Sequence, residues 1–173
     1  MKKNNFISRY AAFFLIVTLF GGIVTSCTEK DSDIVKPKTI TDVILQNSEF
    51  STLREIILAN DLGDALRTEN ITLFAPNNAA FLNSKITSAQ INAMPKDSIR
   101  AFVYRHILKQ NLTFESLKVQ KYPTILKGDS IVVTQASADA PLQLNKLAYV
   151  ITKNVNADNG SIQVVDHSLK NIK

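Results

Sequence analysis

Apolar positions recur along the chain in two different rhythms. Ile40, Val43 and Ile44, and then Phe50, Leu53, Ile56 and Ile57, return every third or fourth position, which places them on one helical face. Ser51 is expected to cap the second helix, and Asn60-Asp61 to close it before a further helical turn over Leu62 to Leu66. Ile71 to Ala75 is a β-favouring run, ended by Pro76 because proline has no amide hydrogen for a ladder. Asn77 to Leu82 and Ser88 to Met94, the latter capped by Ser88, read as short helices. Pro95 then opens the strongest helix, with Ile99, Phe102, Val103, His106 and Ile107 on its apolar face. Beyond Asn111 the pattern becomes strand-like over Tyr122 to Leu126, Ser130 to Gln135, Leu142 to Leu144, Leu147 to Lys153 and Ser161 to Val165. Lys127-Gly128-Asp129, Asn145-Lys146 and Asp158-Asn159-Gly160 separate them as turns. Helices in the first half and antiparallel strands in the second predict an α+β domain rather than a doubly wound one.

The first 26 residues follow neither rhythm. Lys2, Lys3 and Arg9 precede an almost wholly apolar stretch from Tyr10 to Val24. That stretch falls short of the roughly 20 residues a spanning helix needs, so it reads as an export signal. Val24-Thr25-Ser26-Cys27 resembles the lipobox of bacterial lipoproteins. The resemblance implies cleavage before Cys27, a diacylglyceryl group on its sulfur and acylation of the new amine. Thr28 to Lys38 is polar and lacks an apolar period, a tether whose full extension would reach about 36–40 Å. The expected organisation is a signal over 1–26, a lipidated Cys27 with tether over 27–38, and one domain over 39–173. Thr28 after the cysteine fits sorting to the outer membrane of Gram-negative bacteria. The acidic residues that follow resemble the export tags of surface-displayed lipoproteins.

Composition narrows the classes. The 173 residues carry one cysteine, so no disulfide can form within the chain. Of the five glycines, Gly21 and Gly22 fall in the leader and Gly63, Gly128 and Gly160 are isolated, so no glycine-rich loop is available to cradle a phosphate. The formal charge is +5, but three of the basic residues leave with the signal. The remainder is too nearly neutral to suggest a nucleic-acid partner.

Three segments are distinctive together. Thr72-Leu73-Phe74-Ala75-Pro76-Asn77-Asn78-Ala79-Ala80-Phe81 is followed by Phe102-Val103-Tyr104-Arg105-His106-Ile107-Leu108, and then by Asn159-Gly160-Ser161-Ile162-Gln163-Val164-Val165-Asp166. In order and spacing they resemble the signature blocks of the fasciclin-type domain. The resemblance spans Thr39 to Lys173 and implies N-terminal helices packed on an antiparallel sheet, or β-wedge, from the C-terminal half. Phe74 and Phe81 are expected to clamp strand to helix around Pro76, and Asn77 to cap the new helix. Asn159-Gly160 suits a turn with positive φ, with Ile162 and Val164 sharing one face of the next strand. Thr72, Ala75, His106 and the other block residues read as fold determinants, with His106 a hydrogen-bonded core residue. Two departures stand out. The family's tyrosine before the histidine is replaced by Arg105, and Tyr104 lies one residue earlier, about 100° away around a helix. Asn154-Val155 stands where some animal members carry an Asp-Ile adhesion motif, so the carboxylate is missing.

No catalytic constellation is expected. No serine lies in a nucleophile elbow, His167 reads as a surface residue, and the spacings of His, Cys and carboxylates do not suit zinc. Asn156, Asp158 and Gly160 lack the offset and the closing glutamate of a calcium loop. No cofactor or metal is implied. Asp97-Ser98-Ile99 and Asp129-Ser130-Ile131 resemble an acceptor pattern for bacterial O-glycosylation, which would modify Ser98 or Ser130.

The expected function is a non-enzymatic adhesion or interaction module of the cell envelope. It would be held at the outer membrane through the lipid on Cys27 and meet an unidentified protein or glycan. The alternative is an accessory lipoprotein that binds a glycan, haem or other small ligand for uptake; a hydrolase would need two convergent carboxylates. A cleft near His106 or Tyr104 would favour ligand binding.

Overall fold

The computed structural model describes residues 38–169; the signal 1–26, Cys27 and the tether as far as Pro37 lie outside the described residues. Helix α1 (Ile40–Gln46) opens on a capping box in which Asp42 N–H donates to the Thr39 hydroxyl at 3.3 Å and the Thr39 amide donates to the Asp42 carboxylate at 3.0 Å. Helix α2 (Ser51–Ala59) is entered through a 3-10 turn, Ser48–Phe50, which Asn47 caps by accepting from Glu49 N–H. Ser51 is therefore not the cap, because the chain is already helical before it. After Ala59, Asp61 adopts φ 53° and Leu62 N–H donates to Ile57 O at 3.0 Å, a Schellman ending at the predicted Asn60-Asp61 position. A 3-10 turn, Gly63–Arg67, leads into β1 (Ile71–Pro76).

Three helices follow: α3 (Asn78–Asn83), α4 (Ser88–Asn92) and α5 (Lys96–Tyr104). Thr87, not Ser88, caps α4, because its partner Gln90 completes a capping box. Helix α5 stops at Tyr104, short of the expected Ile107. Ile107 and Leu108 form β2 instead, pairing antiparallel with Leu73 and Thr72. The ladder to β1 outcompetes helical propensity there, with Phe74 N–H donating to His106 O at 2.8 Å.

The remaining strands are β3 (Lys121–Pro123), β4 (Ser130–Thr134), β5 (Gln143–Leu144), β6 (Ala148–Ala157) and β7 (Gly160–Val165). They assemble with β1 and β2 into a seven-stranded sheet in the order β2-β1-β7-β6-β5-β4-β3. The sheet is mixed rather than antiparallel throughout, since β1 and β7 pair in parallel from Ile71↔Gly160 to Pro76↔Val165. Its edges meet: Leu108 of β2 bridges Thr124, just after β3, and Ile125 N–H donates to Ile107 O at 2.9 Å. The sheet thus curls almost into a barrel, which shields both edges. Pro123 on β3 fits this placement, because an edge strand tolerates a missing donor.

Strand alternation divides the core in two. Ile71, Leu73 and Ala75 of β1 and Ile162 and Val164 of β7 join the helical core of Ile40, Ile44, Ile56, Phe81 and Phe102. Phe74 and Val165 face the other way, into the curled sheet with Tyr122, Ile131, Val133 and Leu144. Phe74 and Phe81 are both buried but on opposite sides of the sheet, so they do not clamp one corner together.

Candidate functional site

The signature blocks converge on the two central, parallel strands. In β1, Thr72 is buried, and its hydroxyl donates to Gln110 O at 2.7 Å and accepts from Leu112 N–H at 2.8 Å. Ala75 is fully buried opposite Val164, and Pro76 closes the strand opposite Val165. Asn77 then caps α3, its side-chain oxygen accepting from Ala80 N–H at 2.9 Å. Phe81 of that helix lies 6.4 Å from the Phe102 ring, centroid to centroid.

Asn159 and Gly160 act differently from the turn the sequence suggested, since neither has a positive φ. The Asn159 side chain, 2 % exposed, accepts from Ile40 N–H at 2.9 Å and donates to Leu66 O at 2.8 Å and Thr68 O at 2.9 Å. It ties the start of α1 to the segment entering β1. Gly160 is needed for proximity: a Cβ there would overlap the Ile71 carbonyl oxygen and stand 3.2 Å from Ile40 Cδ1. The parallel pair begins where two backbones come too close for a side chain.

His106 is 2 % exposed, 5.1 Å from the Phe102 ring between centroids, and both its ring nitrogens are engaged. Nδ1 donates to Phe102 O at 2.8 Å and Nε2 accepts from Leu169 N–H at 3.1 Å. Only the neutral imidazole with its proton on Nδ1 makes both bonds. Burial disfavours the charged form and lowers the pKa to about 4, outweighing the Phe102 carbonyl, which favours protonation. His167 is half-exposed, its Nδ1 3.2 Å from Asp166 Oδ1. Among the described residues, no group of three or more His, Cys, Asp or Glu side chains is arranged to hold a metal ion.

The two departures acquire structural roles. Arg105, as the cap residue of α5, reaches the β3–β4 connection, where its Nε donates to Asp129 Oδ2 at 2.8 Å. Asn154 adopts φ 54° within a register shift of β6. Its side-chain oxygen accepts from Phe114 N–H at 2.7 Å and Gln163 Nε2 at 2.8 Å, and its nitrogen donates to Glu115 Oε2 at 2.8 Å. Sequence reasoning missed this knot. An asparagine among strand-forming residues, where alternation breaks, was the signal for a bulge. Ser98 is exposed on the first turn of α5, whereas Ser130 is half-buried in β4 beside the Arg105–Asp129 pair.

A cleft of about 400 Å³ is bordered by Tyr104, Ile71, Ile125, Ala65, Glu69 and Lys109. The surface also carries exposed apolar side chains at Leu82 (78 %), Ile151 (52 %) and Tyr149 (38 %). Hydrogen bonds bring these segments together: Asn83, next to Leu82, donates to Asp166 O at 3.0 Å, and Tyr149 N–H donates to Asp166 Oδ1 at 2.7 Å.

A seven-stranded curled sheet covered by N-terminal helices, with these blocks at its central strands, defines a fasciclin-type module. The family model for the Fasciclin domain matches residues 48–171, and the chain belongs to that family. Protein sll1483 of Synechocystis sp. is 32 % identical over 131 residues, covering 74 % of this chain and 71 % of that protein. The FAS1 domain pair of the insect cell adhesion molecule Fasciclin I superposes with a TM-score of 0.52 at 22 % identity, over 70 % of this chain. The chain spans 46 % of that two-domain structure, and the likeness is one of fold.

Proposed function

We propose that the chain is a lipid-anchored adhesion or interaction module of the outer membrane, with Cys27 as its acylated anchor and the domain as its binding head. Family membership supports an adhesion-type role, and the observation that supports a binding face is that exposed Leu82, Tyr149 and Ile151 stand on segments that meet at Asp166. Monomeric proteins leave clustered apolar side chains in water chiefly where a partner covers them. Tethering makes weak contacts effective, because many copies on one surface engage together. A binding role rather than catalysis also suits His106, whose two nitrogens are both committed inside the core.

Fractionation of cells carrying Cys27→Ser tests the anchor: the variant is expected in the soluble fraction, and retention with unchanged processing refutes lipidation. Leu82→Ser with Ile151→Ser tests the face. Loss of attachment to the native surface at unchanged thermal stability supports it; unchanged attachment refutes it.

The second reading, an accessory lipoprotein that takes up a glycan or other small ligand, has the Tyr104 cleft in its favour. A half-buried aromatic ring flanked by Glu69 and Lys109 offers a stacking surface and two hydrogen-bonding groups. Tyr104→Ala would then abolish ligand capture while leaving attachment intact.

A further inference from the structure

The Arg105 guanidinium is only half accounted for. Its Nε is spent on Asp129, yet Nη1 is buried without any acceptor on the protein, and the side chain is 19 % exposed. A guanidinium carries five N–H donors, and buried donors in native proteins are almost always satisfied by protein, water or ligand. The Asp129 main-chain oxygen is occupied, accepting from Thr124 N–H at 3.1 Å and from the Thr124 hydroxyl at 3.3 Å.

Arg105 lines a cleft of about 520 Å³ at one end of the curled sheet, between the β3–β4 connection and the β5–β6 turn. Asp129, Ser130 and Lys146 share its polar side, and Val132 and Leu147 supply an apolar wall. Lys146 is held in place by its neighbour. Asn145 accepts from Val132 N–H at 2.8 Å, donates its own amide to Val132 O at 2.8 Å, and reaches Leu169 O at 3.3 Å. Both turn residues sit in the left-handed region, Asn145 at φ 52° and Lys146 at φ 57°, a conformation uncommon for lysine. The cleft's volume falls within the roughly 300–1,000 Å³ of small-molecule sites, and it opens broadly to solvent.

We propose that this cleft binds a small carboxylate with an apolar body, the carboxylate lying between Arg105 and Lys146 and the body against Val132 and Leu147. Two cations against one carboxylate leave a single positive charge, which suits a monoanion. Asp129 would repel a phosphate dianion, and half the wall would gain nothing from one. The cleft shares no lining residue with the Leu82–Tyr149–Ile151 face, and its assignment does not depend on the adhesion reading.

The test is amide chemical-shift titration of the isotope-labelled full chain in non-ionic detergent. The probes are N-acetyl-L-leucine, its uncharged amide and inorganic phosphate. N-acetyl-L-leucine is expected to give saturable shifts at Ser130 and Leu147, with the amide and phosphate much weaker. Lys146→Glu, at an exposed position, is expected to weaken the carboxylate about tenfold by reversing one charge of the pair, without altering thermal stability. Four outcomes would each overturn the proposal: no saturable shifts, an equal response to the amide, phosphate binding as tightly as the carboxylate, or unchanged affinity in Lys146→Glu.

Discussion

The amide of Leu169 donates a 3.1 Å hydrogen bond to Nε2 of His106, joining the segment after β7 to the residue between α5 and β2. The bond exists only while that nitrogen carries a lone pair, so protonation and this contact exclude each other. His106 therefore couples the C-terminal segment of the domain to pH.

Its pKa falls from 6.5 in the unfolded chain to about 4 in the fold, because burial penalises the imidazolium. The unfolded state thus binds the extra proton between these values. Stability from the neutral ring is complete above pH 6.5, declines as pH falls, and is lost once pH drops through 4. The integrated loss is about 3 kcal/mol. Urea unfolding from pH 7 to pH 4 should show His106→Gln losing less stability across this window than the parent by that amount. Parallel pH curves would remove His106 as the cause.

Gly160→Ala and Gly128→Ala should differ sharply. At Gly160 the new methyl meets the Ile71 carbonyl in the rigid β1–β7 pair, so a loss at the upper end of about 1–3 kcal/mol, or failure to fold, is expected. Gly128 has φ +81° but open space around its Cα, so only about 1 kcal/mol of backbone strain is expected there. Thermal denaturation of the two variants decides the matter, and equal losses would contradict it.

Asn159→Ala removes three hydrogen bonds, two of them buried, which at about 1 kcal/mol each predicts a loss near 3 kcal/mol. Asn159→Asp should be worse despite its similar shape. It keeps the acceptor for Ile40 N–H but turns a carboxylate oxygen toward the carbonyls of Leu66 and Thr68. Chemical denaturation of both variants checks the order; an aspartate better tolerated than alanine would refute the assignment of the side-chain nitrogen.

Phe74 and Phe81 occupy different cores. Phe74→Leu and Phe81→Leu are each expected to cost about 1–2 kcal/mol, and the double variant the sum to within about 0.5 kcal/mol. A coupling well above that in a double-mutant cycle would restore a shared clamp.

Local patterns were legible wherever a residue's role depends on its near neighbours. The apolar spacing from Ile40 to Ile57 marks helices that the fold contains, and Asn77 caps α3 because the group it bonds, Ala80 N–H, is three residues away. The caps at Asn47 and Thr87 were misplaced by a few residues, since several polar side chains stood close enough to compete. β6 was harder to delimit: its eight residues from Val150 to Ala157 face six from Gly160 to Val165, so two bulges break the alternation that marks a strand.

From the order of residues alone came the α+β class and the apolar setting of His106, because periodicity and proline or asparagine chemistry act over a few positions; the signature blocks stood out by their resemblance to a known family. Tertiary structure alone decided the parallel β1–β7 pair, the meeting of the sheet's edges at Leu108 and Thr124, and the reason Gly160 is glycine. It also brought Arg105, Asp129 and Lys146 to one cleft. Each of these depends on distances between segments far apart in the chain, and those distances exist only once the backbone has packed.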